Sequence, residues 1–155
     1  MPKTSAGVLL FRREPLEVLL VHPGGPFFRN KDAGAWSIPK GELDDPDEDP
    51  RERALTELQE ETGLALDPAT PLVELGEVRL KSGKRITGYG AEGDFDVDTL
   101  VSNTFEVEWP PRSGKQQAFP EVDRAVWASP DVARTLLNPA QVAFVDRILA
   151  ACASD

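Results

Sequence analysis

Short apolar runs, separated by segments rich in Pro, Gly and charged residues, recur along most of the chain. Val, Ile, Leu and Phe dominate these runs, which favours strands over helices at such lengths. The first two runs are joined through residues 13–16, so a hairpin is expected there, and the run over 101–109 alternates like a half-buried strand. The predicted strands are 5–13, 18–22, 36–38, 72–80, 85–90, 101–109 and 122–128.

Three helices are predicted from the signals at their ends. The middle helix starts with Pro50 at its first position, and Asp49 before it is expected to accept a hydrogen bond from the amide of Glu52. Gly63 supplies the left-handed residue that ends this helix. Ser129 caps the next one. The predicted helices are 50–62, 130–137 and 139–152.

Length and composition favour one globular domain over residues 1–155. Of the 155 residues, 40% are hydrophobic and 28% are charged, as in an ordinary globular protein. No apolar run approaches the roughly 18 residues that a membrane span requires, and the N-terminus lacks the features of a secretory signal. We therefore expect a cytoplasmic protein without a membrane partner. Cys152 is the single cysteine, which excludes an internal disulfide.

Acidic residues are concentrated in one stretch of the chain. The formal net charge of -10 at pH 7 argues against duplex nucleic acid as a partner, because such binding needs a basic surface. Between Glu42 and Glu61 there are ten acidic residues and only two arginines. A block of this density is typical either of a solvated face or of a site that binds cations.

Three of these acids share one side of the middle helix. Glu57, Glu60 and Glu61 are spaced i, i+3 and i+4, so their carboxylates converge. For a helix alone, a solvated face is the commoner explanation. Gly41 lies upstream, however, where its carbonyl could reach the same face, and Mg²⁺ prefers carboxylate, carbonyl and water oxygens.

A calcium-binding loop is the first alternative for the acidic stretch. Asp45, Asp47 and Asp49 fit the opening of an EF-hand loop. The sixth position of that loop should be Gly and is Pro50, and the twelfth should be Glu and is Thr56. The sequence therefore excludes an EF-hand.

Residues 39–64, PKGELDDPDEDPRERALTELQEETGL, resemble the Nudix box, G-x5-E-x7-R-E-U-x-E-E-x-G-U, in which U is a bulky aliphatic residue. The resemblance covers about a sixth of the chain, and its context agrees, because the box spans a loop, a helix and a second loop. The matching positions are Gly41, Glu48, Glu57, Leu58, Glu60, Glu61, Gly63 and Leu64.

The chain departs from the box at two places. Six residues rather than five separate Gly41 from Glu48, so either the loop carries one extra residue or Asp47 takes the acidic position. Thr56 replaces the arginine that, in the family, helps to hold the catalytic glutamate. Arg53, one helical turn before that glutamate, is a candidate substitute.

The resemblance implies a fold and a reaction. The fold is an α+β arrangement, an α/β/α sandwich with a mixed β-sheet, which agrees with the predicted order of elements. The implied activity is metal-dependent hydrolysis of a phosphoanhydride bond in a nucleoside diphosphate derivative, such as a nucleoside triphosphate or a dinucleoside polyphosphate, with Mg²⁺ or Mn²⁺ as cofactor. The implied catalytic residues are Glu57, Glu60 and Glu61, and the choice of base stays open. The implied metal ligands are Gly41, Glu57, Glu60, Glu61 and Glu121.

The implied partner is a small phosphoanhydride substrate, in keeping with the family a nucleotide, and cationic side chains are needed to bind its phosphates. Lys40, Arg29 and Arg12 are the candidates, and Lys40 is the strongest because it lies in the box. The two phenylalanines before Arg29 could stack on a base, although such residues more often serve packing. His22 has no carboxylate neighbour in sequence, and we interpret it as structural or surface.

A second function stays open at this level. A Nudix-fold module that binds or senses a nucleotide and hydrolyses it slowly would explain the absent box arginine. The three retained glutamates favour an enzyme. The sequence does not distinguish among nucleoside diphosphate derivatives, and a homodimer is compatible with the family.

Overall fold

Within residues 3–153, which the computed structural model describes, the chain forms eight strands and three α-helices. Short 3-10 turns at 97–99 and 139–141 connect some of them. The strands are β1 (Thr4–Arg12), β2 (Glu17–Pro23), β3 (Lys40–Glu42), β4 (Val73–Arg79), β5 (Arg85–Glu92), β6 (Thr104–Glu108), β7 (Gln116–Pro120) and β8 (Val122–Ala128). The helices are α1 (Pro50–Thr62), α2 (Pro130–Leu136) and α3 (Val142–Ala153).

Six strands form one mixed sheet. Its order is β4-β5-β1-β2-β8, and β3 pairs with β1. β1 and β5 are parallel, while the other pairs are antiparallel. Near Phe11, β1 pairs with β2, whereas around Ala6 it pairs with β3. The sheet therefore opens between β2 and β3 toward the start of β1, and the acidic box lies at this end.

Helices cover both faces of the sheet, and this confirms the expected α/β/α sandwich. On one face α1 packs Ala54 and Leu58 against alternate residues of β1. On the other face α3 contributes Phe144, Val145 and Ile148 to the larger core. Each helix buries its apolar side by this packing, which removes apolar surface from water and stabilises the fold.

The strand predicted over 36–38 is not a continuous strand. Trp36 and Ser37 form only isolated bridges, with Leu137 and Val21 respectively, and regular pairing begins after Pro39, at Lys40. Proline has no amide hydrogen to donate to a ladder, so pairing changes partner at this residue.

The strand predicted over 101–109 is shorter in the structure and lies outside the main sheet. Residues 104–108 pair with β7, for which the sequence showed no signal, in a separate two-stranded hairpin. The other five predicted strands and the three helices lie where expected, although the last helix begins with a 3-10 turn at 139–141. None of the helices in residues 3–153 is long and apolar enough to cross a bilayer.

The packing of α3 on β5 generates the first prediction. The fully buried Phe144 ring lies over Gly88, where a Cβ would come within 2.7 Å of a ring carbon. We expect Phe144→Ala to lower the free energy of unfolding by about 3–5 kcal/mol, because no neighbouring backbone can fill the cavity. Denaturant titration measures this loss, and Val132→Ala, at a half-exposed position, is the control. A loss below about 1 kcal/mol would contradict the packing described.

Candidate active site

α1 carries the acidic cluster and has well-defined ends. The Asp49 side chain accepts a hydrogen bond from the amide of Arg51 at 2.9 Å, rather than from Glu52 as the sequence suggested. A short side chain reaches the nearer amide when the preceding backbone is extended, as it is at Asp49. Gly63 ends the helix in the left-handed conformation, with φ of 87°.

The burial of Ala54 and Leu58 under α1 fixes the direction of the glutamates. Glu57 is 7% exposed and points toward β3. A Cβ on Gly41 would overlap the Glu57 carboxylate, so only glycine allows this close approach. One turn later, a carboxylate oxygen of Glu61 accepts a hydrogen bond from the backbone amide of Lys40 at 3.3 Å. The structure thus brings Gly41, Glu57 and Glu61 together.

Arg53 binds three carboxylates at the start of this cluster. Its Nε donates to Glu48 at 2.9 Å, and its two terminal nitrogens donate to Glu57 at 3.1 Å and Asp44 at 2.7 Å. Its side chain is only 15% exposed. The hydrogen bond to Glu48 raises the pKa of Arg53, and the same bond, with the Asp44 amide, lowers the pKa of Glu48. Glu48, not Asp47, is therefore the acid paired with the arginine, and the extra loop residue is accommodated before it.

Glu121 reaches the far end of α1 through a series of backbone hydrogen bonds. The amide of Asn103 donates to the carbonyl of Glu60, the amide of Glu121 donates to the carbonyl of Asn103, and the amide of Gly24 donates to the carbonyl of Glu121, each at 2.8 Å. These bonds hold the base of the β6–β7 hairpin and the end of β2 beside the acidic helix. The backbone of Glu121 is thereby attached beside Glu60, and the role of its side chain as a metal ligand stays a prediction.

Burial controls the electrostatics of the cluster. It raises the pKa of Glu61 to about 8, against the opposing effect of Lys40, while Glu121 and Glu57 add to the rise. Burial also raises the pKa of Glu57, although its bond to Arg53 acts in the opposite direction. Burial and the charge of Glu60 raise the pKa of Glu121. Such shifts are typical of functional carboxylates packed near one another.

Within the part of the chain that the structure describes, no three acidic, His or Cys side chains form a ready-made metal site. Two of the proposed ligands are already engaged, Glu57 by Arg53 and Glu61 by the Lys40 amide. Like charges also repel one another in the absence of a cation. The glutamates are neighbours in one cluster, and their role toward a metal stays a prediction.

The candidate phosphate-binding residues are distributed unequally. Lys40 lies in the cluster, and Arg29 lies in the loop after β2, which starts at the cluster. Arg12 lies at the opposite end of β1, where it binds Glu17 and Asp94 and stacks on a Trp ring. The structure thus places Lys40 at this end of the sheet and Arg12 at the other, while Arg29 belongs to the loop that starts at this end.

His22 is fully buried, in agreement with a structural role. Its Nδ1 lies 2.8 Å from a carboxylate oxygen of Asp123, and its Nε2 donates to the carbonyl of Lys31 at 2.6 Å. Two contributors to the site, Asn103 and the hairpin strand β7, had no signal in the sequence. Their backbones form the connection, so side-chain patterns carry no information about it.

Comparison with known proteins identifies the family of this chain. The NUDIX domain profile matches residues 1–149. The chain belongs to the Nudix family. No curated protein matches it significantly over its length, so its Nudix relatives of known structure provide the comparison.

Solved Nudix structures share the fold at low sequence identity. An Ap4A hydrolase from C. elegans, in a binary complex, is 18% identical with a TM-score of 0.65, covering 97% of this chain and 99% of that one. The NUDIX domain of NrtR from Shewanella oneidensis, complexed with ADP ribose, is 20% identical with a TM-score of 0.67, covering 98% and 89%. A MutT protein from Methanosarcina mazei Go1 is 20% identical with a TM-score of 0.59, covering 97% and 96%.

The contacts of Arg53 generate the second prediction. We expect Arg53→Ala to weaken Mn²⁺ binding and lower kcat by about 10- to 100-fold, as when other groups that orient metal ligands are lost. Arg51→Ala is the matched control, since Arg51 is an exposed residue of the same helix whose guanidinium lies 5.7 Å from the Tyr89 ring centroid. Isothermal titration calorimetry and steady-state kinetics measure the two effects.

A second variant separates this role from a general loss of structure. If Arg53 performs the role of the box arginine, adding Thr56→Arg to Arg53→Ala should restore part of kcat. Wild-type kinetics and metal affinity in Arg53→Ala would show instead that its ion pairs are surface interactions worth under about 1 kcal/mol.

The raised pKa of Glu61 generates a third prediction, on pH. In the unfolded chain this carboxyl ionises near its ordinary value of 4.5, whereas in the folded protein it ionises near 8. The folded state therefore binds more protons over this interval, and the stability of the metal-free protein should fall as pH rises from about 4.5 to about 8. Urea titration at pH 5, 7 and 9 measures the trend, and Glu61→Gln should flatten it. Stability that rises across this range would contradict the expected ionisation.

Proposed function

We propose that this Nudix domain is a metal-dependent hydrolase that cleaves a phosphoanhydride bond in a nucleoside diphosphate derivative. Family membership supports a Nudix pyrophosphohydrolase. The observation that carries the proposal is the position of Glu57, fixed by Arg53 on one side and Gly41 on the other. A purely solvated acidic face would not require a buried glutamate with an arginine beneath it.

The donor set fits a hard divalent cation such as Mg²⁺ or Mn²⁺. Every proposed ligand offers oxygen: the carboxylates of Glu57, Glu60, Glu61 and Glu121, and the carbonyl of Gly41. The raised pKa values of Glu57, Glu61 and Glu121 reflect negative charge that water solvates poorly. When bound, the cation would neutralise charge that develops on the phosphates and would activate a water molecule.

The side chains of this cluster divide the remaining work. Arg53 orients Glu57 and favours its ionised form against the effect of burial, and the Lys40 amide orients Glu61. Glu60 lies close enough to Glu57 and Glu121 to raise their pKa values. We propose that Glu60 is the general base, which accepts the proton of the attacking water. The water oxygen forms a bond to phosphorus, the bridging P–O bond breaks, and the leaving phosphate departs with the electron pair.

Lys40 and Arg29 are the proposed contacts for the substrate phosphates. Lys40 lies beside Glu61, and Arg29 lies in the loop attached to Glu121 through Gly24. Arg12 is a weaker candidate, because its guanidinium already binds two carboxylates at the other end of β1. The Ap4A hydrolase and the ADP-ribose complex among the structural neighbours support a nucleotide as substrate. A cytoplasmic location and a homodimer stay predictions.

A slow nucleotide-binding module was the alternative suggested by Thr56. The contact between Arg53 and Glu57 argues against such a module, because an arginine one turn earlier on the helix holds the glutamate. The same contact supports an active enzyme over a sensor.

A hydrolysis assay tests the proposed function. Wild-type protein with Mg²⁺ or Mn²⁺ should release phosphate or nucleotide products from at least one member of a panel containing a nucleoside triphosphate, a dinucleoside tetraphosphate, ADP ribose and a nucleotide sugar. Mass analysis of the products identifies the bond that breaks. No turnover of any member would contradict the proposal.

Two isosteric variants then separate the roles of the glutamates. Glu61→Gln should weaken Mn²⁺ binding in calorimetry and lower kcat, whereas Glu60→Gln should lower kcat with metal affinity nearly retained. Glu52→Gln, on the exposed first turn of the same helix, is the control and should change neither. Equal metal affinity in Glu61→Gln and wild type would show that the acidic side of α1 is only a solvated face. Lost metal affinity in Glu60→Gln would show that Glu60 is a metal ligand rather than the base.

A further inference from the structure

An exposed phenylalanine and a partly buried tryptophan from separate parts of the chain meet near the candidate active site. Phe27, in the loop after β2, is 56% exposed. Its ring lies 5.7 Å from the ring of Trp109 at the end of β6, in an edge-to-face arrangement with an interplanar angle of 83°. Phe28 beside it is 37% exposed. We call Phe27, Phe28 and Trp109 the aromatic rim.

Both segments that carry the aromatic rim start at the acidic cluster. The loop begins at Gly24, whose amide donates to the carbonyl of Glu121, and the hairpin begins after Asn103, whose amide donates to the carbonyl of Glu60. Glu121 also closes the hairpin, directly after β7. The aromatic rim is therefore connected to the catalytic glutamates through rigid backbone contacts on both sides.

The loop then follows the hairpin outward. At Gly25 a Cβ would come within 2.7 Å of the Phe105 ring, so the loop backbone packs directly on β6. Phe27 makes the next contact, with Trp109. The loop is held a third time where His22 donates to the carbonyl of Lys31. These contacts hold the loop against the hairpin, so the aromatic rim has a defined position.

The loop and the tip of the hairpin differ in charge from β6, which carries Glu106 and Glu108, and from the chain as a whole. Residues 23–31 contain Arg29 and Lys31 and no acid, and residues 109–117 contain Arg112 and Lys115 and no acid, although the chain has a net charge of -10. Lys31 Nζ lies 5.4 Å from the Phe28 ring centroid. Aromatic faces combined with cations suit a ligand that is planar and carries negative charge.

We propose that the aromatic rim binds the nucleobase of the substrate, while the cations beside it contact the phosphates that run toward the acidic cluster. The proposal rests on the proposed function for the identity of the ligand as a nucleotide. Phe27 follows Gly24 by three positions, which limits the distance between their Cα atoms to about 11 Å. The β6 strand spans about 17 Å from its base to Trp109. The aromatic rim thus lies beyond the phosphate-binding end of the site, where a base attached to those phosphates would extend.

Kinetics with and without a base test the proposal. Phe27→Ala and Trp109→Ala should each raise KM for the nucleotide substrate at least fivefold with kcat nearly unchanged, because a stacking contact far from the reacting bond is lost. Trp109→Phe, which retains a ring, should recover most of the affinity. Inorganic tripolyphosphate, which has no base, should show the same KM in all variants.

A binding measurement keeps the proposal independent of turnover. Calorimetry with AMP and without metal should show weaker binding in Trp109→Ala than in wild type and Trp109→Phe. If the wild type hydrolyses nothing, the proposed function fails, and the AMP titration still decides whether the aromatic rim binds a base.

Other outcomes would overturn the proposal. Equal KM and AMP affinity in wild type and Trp109→Ala would show that the base binds elsewhere. A parallel loss with tripolyphosphate would show that the hairpin only supports the acidic cluster. Dimerisation in analytical ultracentrifugation that Phe27→Ala abolishes would make the aromatic rim a contact between copies of the chain.

Discussion

The acidic loop and the first turns of α1 are held together by the guanidinium of Arg53. It compensates carboxylates from both segments, Asp44 and Glu48 in the loop and Glu57 in the helix. Without it these groups would repel one another, and Glu57 would be buried against Gly41 with no opposite charge beside it. Removing one partner of a buried ion pair is costly because the others stay desolvated. The direction of the Glu57 carboxylate therefore depends on this guanidinium, while pairing with β1 positions Gly41 and Lys40 beside it.

Much of the fold was predictable because local signals and tertiary packing agree in it. Most of the apolar runs are strands of the main sheet. Asp49 and Ser129 cap the starts of helices, and Gly63 caps the end of one. The β6–β7 hairpin was predicted only in part, since strand prediction relies on apolar residues that pack on a core. Most residues of β7 are exposed, and the strand is held by its backbone pairing with β6 rather than by packing on a core.

The candidate site was predictable where its geometry follows from helical spacing. Glu57, Glu60 and Glu61 share a side of α1 by periodicity, and Arg53 reaches Glu57 because residues four apart are neighbours. Asn103 and Trp109 are different, because only the path of the folded chain brings them to the glutamates and to Phe27. A single sequence holds no pattern for contacts between segments about forty to eighty residues apart. The exposure of Phe27 likewise required the structure, since such residues are most often buried.

The hydrogen bonds that join Glu60, Asn103, Glu121 and Gly24 all run between backbone groups. Solvent-facing side chains of the hairpin can therefore be exchanged by mutation while the attachment to α1 is retained, whereas Gly24 and Gly25 cannot, because a Cβ at either would collide with the hairpin. New specificity can therefore arise from neutral variation on the hairpin while the glutamates of α1 keep their positions.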